Sequence, residues 1–562
     1  MKRPLTLILS FLILCSCSFN NGNTNSNVEN LSIETTSSIG NSSAEESSLE
    51  ETMISSSEDE EDFSSEDITD TSGKEEISSE EISSEISEII TNIESTEKET
   101  SSEYFSSGIS GFSSEIPAEP NYITLNNDIK LKDVLDTQNY GTTPSVGDVN
   151  VLVIPILFTN YSFELEDIRQ SLDDTFNGEN LDYFYSVKKY YELSSYGNLN
   201  FNFEIAPIFE AGLSTLAIKQ TNNVHSLMER AYDSYYVNHL DEMSKFDLDK
   251  DGYADGVWFI YGCPTYYSSR DLSSEFWAYT THFMAPKRSN KIELNTVGWA
   301  SYKFMNEGKN SNWQDAHTFI HETGHMLGLD DYYCYDEAIS PLGKIDMMDN
   351  NVCDHNAWSK FALGWIKPKL MVKNGTIDLN VFQEDGDAIF ISLEKTKCKN
   401  PFGEFLILEY YTPERLNKLD STIPYNYLKG PNKGGLKVIH VDARVIEGSY
   451  ALNYSKEKYL QVNFDDKTPY LIAHSNSKSR SFFESQYCFI SMIDANGRIF
   501  YDSYETFDEY TLWNEGDVLD FDDEILQAQF VNLNISNSEW YLPYQIHILE
   551  ENTESLTLEI FL

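Results

Sequence analysis

The chain has 562 residues, 92 of them acidic and 39 basic, for a formal net charge of −53. So strong a negative field repels polyanions, which excludes nucleic acid as a partner and excludes attraction to anionic lipid as a route to a membrane. The acidity is not confined to one tail, since residues 1–120 hold 26 acidic and 4 basic residues and the remainder is still acidic.

Lys2 and Arg3 precede the apolar run Leu5 to Leu14, followed by Cys15-Ser16-Cys17. A basic start, an apolar centre and small residues before a cysteine form a secretory signal peptide. With Leu14 three places upstream of Cys17 it resembles a bacterial lipoprotein cleavage box, so residues 1–17 are expected to be removed up to a lipidated Cys17 at the cell surface. No later run reaches the roughly 20 apolar residues that span a bilayer, so lipid is expected to be the only membrane attachment. Residues 18–118 repeat Ser-Ser-Glu units, lack the apolar content for a core and are expected to be a disordered tether.

Residues 119–368 are expected to form an α+β domain with a mixed sheet, the stretch 119–145 being the part available for a pro-segment. Val149 to Phe158, VNVLVIPILF, has the continuous β-branched character of a strand buried on both faces. Asp247, Asp249, Asp251, Gly252 and Asp255 follow in DLDKDGYAD. Alternating carboxylates with glycine at the sixth place suit Ca²⁺, although Trp258 stands where an EF-hand has its glutamate. A structural calcium steadying the strand Gly256 to Tyr261 is therefore expected. Phe276 to Phe283 and Val297 to Phe304 are strand-like, and either is a candidate for the edge strand beside an extended peptide. No role falls to His282.

Residues 317–331 read HTFIHETGHMLGLDD. On a helix, His321 and His325 stand one turn apart on one face, where both imidazoles reach one Zn²⁺ with Glu322 beside it as a general base. Catalytic zinc needs a third protein ligand. Gly328 can end the helix in a left-handed turn and bring the chain back, so that Asp331 arrives as that ligand, with its neighbour Asp330 the rival. Glu337 is too near for a separate helix and Glu384 lies beyond the domain. A capping box at Ser311-Asn312-Trp313-Gln314 and the stripe Ala316, Phe319, Ile320, Thr323 and Leu327 support the helix. His317 reads as a core or supporting residue rather than a ligand.

Asp346 to Asp349, DMMD, is a candidate for the methionine-bearing turn beneath such a metal. HETGHMLGLDDYY, DMMDN and HNAWSKFALGW together resemble the immune inhibitor A family of secreted bacterial zinc metallopeptidases, departing from it at Asp330 and Cys334. The resemblance implies a metzincin-like catalytic fold with His321, His325 and Asp331 as zinc ligands, Glu322 as base, and Met347 or Met348 as the turn methionine. It extends upstream to Ser195-Tyr196-Gly197 and to the Asp-rich loop. A protein or peptide is the implied substrate. Tyr332, Tyr333 and Tyr335 crowd the ligand loop, where one could donate to an oxyanion, though packing accounts for them better.

Trp358 to Trp365 is expected as a closing helix ending at Gly364, with Pro368 as the boundary. Beyond it, residues 369–562 carry short alternating runs at Ala388–Leu393, Glu404–Tyr411, Leu436–Asp442, Tyr487–Asp494 and Leu556–Leu562, which predict an antiparallel β domain. Five cysteines remain, and a Cys334–Cys353 disulfide could staple the floor of the site. Two functions stay open: a surface-anchored endopeptidase, or a non-catalytic lipoprotein whose metal is structural and whose β region binds glycan or host protein. Glu322 separates them, because a structural metal has no need of a base.

Overall fold

The run that the sequence marks as a doubly buried strand forms the middle of a layered α+β unit. The computed structural model describes residues 120–562 apart from 127, 139–140, 180–183, 222, 266–275, 284–285, 289, 307–313, 336–338, 450–453, 466, 478–486 and 532–535. Cys17, the signal peptide, the tether to residue 118, Ser311 to Trp313 and Glu337 lie outside the described residues.

After β1 (Tyr122–Thr124), the first sheet is built from β2 (Gly147–Leu157), β3 (Leu199–Ile205), β4 (Phe209–Glu210), β5 (Val257–Tyr261), β6 (Tyr279–His282) and β7 (Thr296–Ser301). Its order is β3-β2-β5-β7-β6, with β4 on the end of β2. Every pair is parallel except β6 against β7. Successive side chains on a strand point to opposite faces. Accordingly Val149, Val151, Val153, Trp258 and Ile260 enter one core, and Leu152, Ile154, Ile156, Val257 and Phe259 the other.

Helices cover both faces. On the first lie α1 (Ile168–Asn177) and α2 (Val187–Ser194), with α3 (Val224–Asn238) on the second. The first face also takes α4 (His317–Met326), which carries the HExxH residues. Trp258 is the wedge between sheet and α4, its ring 5.6 Å from that of Phe319. Its cross-strand partner is Gly298, where an added Cβ would fall 2.6–2.7 Å from the indole. The helix begins later than the sequence predicts. Its cap is Ala316, and Asp315 Oδ1 accepts from the His317 backbone N–H at 2.9 Å in place of the expected capping box.

Two short helices, α5 (Met347–Asn350) and α6 (Ala357–Ala362), lead into the C-terminal strands. These are β8 (Lys369–Met371), β9 (Gly375–Asn380), β10 (Ala388–Ser392) and β11 (Glu404–Tyr411), then, after α7 (Asn417–Thr422), β12 (Gly435–Asp442) to β16 (Ile490–Met492), and finally β17 (Val518–Asp520), β18 (Gln545–Glu551) and β19 (Ser555–Phe561). A six-stranded sheet runs β1-β8-β10-β11-β12-β16, and a four-stranded sheet β17-β18-β19-β9 lies on one side of it. The expectation of a purely antiparallel region needs correcting. β8 and β10 pair in parallel because the intervening chain leaves to form β9 in the other sheet and must return. β1 also joins this sheet from the far side of residue 368, antiparallel to β8.

The six-stranded sheet is apolar on both faces. Phe390, Phe405, Ile407, Ile439 and Val441 share the core with α4, whereas Ile391, Leu406, Leu408 and Val438 face the four-stranded sheet. Residues on either side of position 368 therefore pack into one continuous core. Cys334 and Cys353 are buried and form no disulfide, so the expected staple is not made.

Filling the Trp258 slot tests this packing. Gly298→Ala is expected to destabilise the chain by about 1–3 kcal/mol in chemical unfolding, as overpacking does in a rigid core. A change within about 0.5 kcal/mol, typical of uncrowded sites, would contradict it.

Candidate metal centre

The predicted ligands are brought together by how α4 ends. Gly328, at φ +100°, lets its backbone N–H donate to His325 O at 2.9 Å, and Leu329 N–H donates to Gly324 O at 3.1 Å. That paired closure reverses the chain, as the glycine predicts. It also presents Leu329 O to His325 Nδ1 at 2.8 Å and delivers Asp331 to the same face.

His321 Nε2 lies 3.0 Å from Asp331 Oδ1 and 3.1 Å from His325 Nε2, and the third edge, His325 Nε2 to Asp331 Oδ1, is 3.2 Å. His321, His325 and Asp331 are 0%, 8% and 1% exposed. The tautomers follow from the outer contacts. His321 Nδ1 donates to Met347 O at 2.7 Å and His325 Nδ1 donates to Leu329 O. A carbonyl only accepts, so in each neutral ring Nε2 bears a lone pair. Two lone pairs and a carboxylate oxygen thus converge, an arrangement that repels itself unless a cation lies among them. Four donors at about 2.0–2.1 Å around a tetrahedral Zn²⁺ stand about 3.3 Å apart, close to the edges found here. The residues present therefore fit Zn²⁺. Asp330 points elsewhere, its Oδ2 accepting from Ser475 Oγ at 3.2 Å.

Glu322 is 0% exposed, and neither carboxylate oxygen has a hydrogen-bond partner among the described residues. Burial pushes its carboxyl up, against the pull of the two imidazoles. Thr280 Oγ1 on β6 donates to Glu322 O at 2.8 Å, tying the last strand of the sheet to the helix.

Met347 and Met348 are both buried beneath α4. Met347 supplies the carbonyl that orients His321, and the Met348 sulfur sits where a Cβ on Gly324 would otherwise lie. Two supporting residues escaped sequence reasoning. Tyr335 OH donates to Asp331 Oδ2 at 2.6 Å, and Asp346 Oδ1 accepts from Met348 N–H at 2.9 Å. The sequence suggests packing or an oxyanion contact for Tyr335, and its spacing of four from Asp331 is the signal for the bond it makes. Tyr332 OH is paired with Ser359 Oγ at 2.7 Å.

His317 is no ligand. Its ring is stacked between Phe184 and Tyr425, with Nδ1 2.6 Å from Asp315 Oδ1 and Nε2 3.2 Å from Asp420 Oδ1. Burial alone would lower its pKa, but the two carboxylates raise it to about 9. In the acidic loop, Asp247, Asp249 and Asp251 gather. Asp255 does not join them, because it turns inward and its Oδ2 caps Leu248 N–H at 2.8 Å. Gly252 takes φ +88°, and Asp247 Oδ1 is buried without a partner among the described residues, while Lys132 approaches Asp249 at 3.2 Å. Three carboxylates suit a hard cation such as Ca²⁺.

No protein-family model matches the chain, and no curated protein sequence matches it.

The raised His317 pKa sets a pH dependence. A protonated His317 stabilises the fold fully below its unfolded pKa of about 6.5, and that stabilisation is lost as pH rises toward about 9. The stability gap between wild type and His317→Gln should therefore shrink by about 1–3 kcal/mol between pH 6 and 9.5. A gap that stays constant would show that the imidazolium is not held.

Proposed function

We propose that this chain is a zinc-dependent endopeptidase of metzincin-like fold, similar to the immune inhibitor A family and held on the bacterial cell surface by lipid at Cys17. The observation that carries the reading is the convergence of His321 Nε2, His325 Nε2 and Asp331 Oδ1 beside a buried Glu322 whose carboxylate has no hydrogen-bond partner among the described residues. An unpaired buried carboxylate costs stability. A purely structural metal would give Glu322 no work in return, which weighs against the binding-module alternative.

His321, His325 and Asp331 would hold the ion. Zn²⁺, when bound, supplies Lewis acidity to the scissile carbonyl and lowers the pKa of a water to about 7. Glu322 accepts the proton of the attacking water and hands it to the departing amine nitrogen, a role favoured by a carboxyl that burial pushes up. β6, the last strand of its sheet, runs beside α4 and is the natural place for an extended peptide to add as a strand. Among the described residues no helix is long and apolar enough to cross a membrane, which is compatible with attachment by lipid alone. The loop of Asp247, Asp249 and Asp251 would hold a structural Ca²⁺ near β5.

Glu322→Ala should retain zinc while losing about 10²–10⁴ in cleavage of an unstructured protein such as casein. A chelator should abolish wild-type cleavage, with zinc restoring it and calcium raising only the thermal midpoint. Cleavage that survives in a zinc-loaded Glu322→Ala protein would sink the assignment of the base. A loop that takes up no calcium would remove that second assignment.

A further inference from the structure

The six-stranded sheet carries a polar interruption on the face it turns to α4. Along β11 and β12 that face presents Phe405, Ile407, Tyr411, Ile439 and Val441. Among them, directly opposite each other across the two strands, stand Glu409 and Lys437. They are 1% and 6% exposed, with Nζ 3.2 Å from Oε2. A buried ion pair stabilises little or not at all relative to apolar residues of the same volume, because both charges lose their water. Its contacts say more about it than its strength.

Glu409 Oε1 accepts from the backbone N–H of Ala357, the first residue of α6, at 2.6 Å. Asn356, which caps α6, donates to Asp346 Oδ2 from its backbone at 3.1 Å and its side chain at 2.9 Å. Asp346 Oδ1 in turn accepts from Met348 N–H. Between those residues lies the Met347 carbonyl that receives His321 Nδ1. Asp346, Asn356, Met347 and His321 are all 0% exposed, so bulk water does not reach these links. Burial pushes the Asp346 carboxyl up to about 6, and the Lys437 charge opposes that rise.

We infer that Glu409 and Lys437 are positioning residues of the metal centre, holding α6, Asp346 and the Met347 carbonyl so that His321 Nε2 faces the ion. The C-terminal sheet is then part of the site rather than an accessory to it. This inference rests on the zinc reading. Partners that orient a metal-bound histidine are worth about 10–100-fold in metal affinity when removed.

The test measures zinc affinity by chelator competition on the full chain, with the visible spectrum of the cobalt-substituted protein and the thermal midpoint of the metal-free form. Glu409→Asp keeps the charges but withdraws the carboxylate from Ala357. Glu409→Leu with Lys437→Met removes both charges and the acceptor for Ala357 N–H at similar volume, and Lys437→Arg preserves the pair. Both Glu409 variants are expected to bind zinc at least about tenfold more weakly with an altered cobalt spectrum and an unmoved metal-free midpoint. Lys437→Arg should stay near wild type, as should Lys369→Met, which breaks a distant ion pair. If one Glu409 variant does not fold, the other decides. Wild-type affinity and cobalt spectrum in a folded Glu409 variant overturn the inference alone. A wild-type chain without zinc affinity overturns it together with the zinc reading, and His321→Ala separates the cases by marking what loss of the site looks like.

Discussion

Three electron-pair donors held within 3.2 Å of one another in a dry interior repel, and the structure around them is an apparatus for holding that arrangement. Each donor is fixed from behind: His321 by Met347 O, His325 by Leu329 O and Asp331 by the Tyr335 hydroxyl. Such outer contacts set the tautomer and aim the lone pair. They also explain local features that would otherwise be expensive. The left-handed Gly328 places Leu329 O, the side-chain-free Gly324 admits Met348, and the capped turn at Asp346 supplies the Met347 carbonyl.

The same requirement accounts for the layering. A helix buried throughout its length, as α4 is, needs walls on every side. The first sheet provides one through Trp258 and Ala300, the DMMD turn a second, and the inner face of the six-stranded sheet contributes to the same core. His317 and Asp420 add a tie from the start of α4 to α7, across the part of the chain that the sequence divides at residue 368. The regions on either side of residue 368 meet in one core.

Much of this was legible in the residues. The four-residue spacing of His321 and His325, the glycine that ends the helix and the arrival of Asp331 follow from helix geometry and turn chemistry, which are local. A continuous apolar run located β2 for the same reason. What local pattern could not reveal depends on partners far along the chain. The start of α4 is set by Asp315 and by the Asp420 contact, which no local pattern announces. Asp255 leaves the acidic loop because the Leu248 backbone N–H competes for it. β8 and β10 pair in parallel only because β9 is drawn into another sheet. Glu409 looked like one charge in a strand, and its meaning appears only when Ala357 is seen beside it.

The central claim is that two imidazoles and one carboxylate of this chain hold zinc, and X-ray absorption at the zinc edge tests it most directly. Protein purified with zinc available should carry one such site per chain, with nitrogen and oxygen neighbours at about 2.0–2.2 Å, two of them imidazoles, and no sulfur. A sulfur shell at about 2.3 Å, or a folded chain that takes up no zinc, would contradict the account.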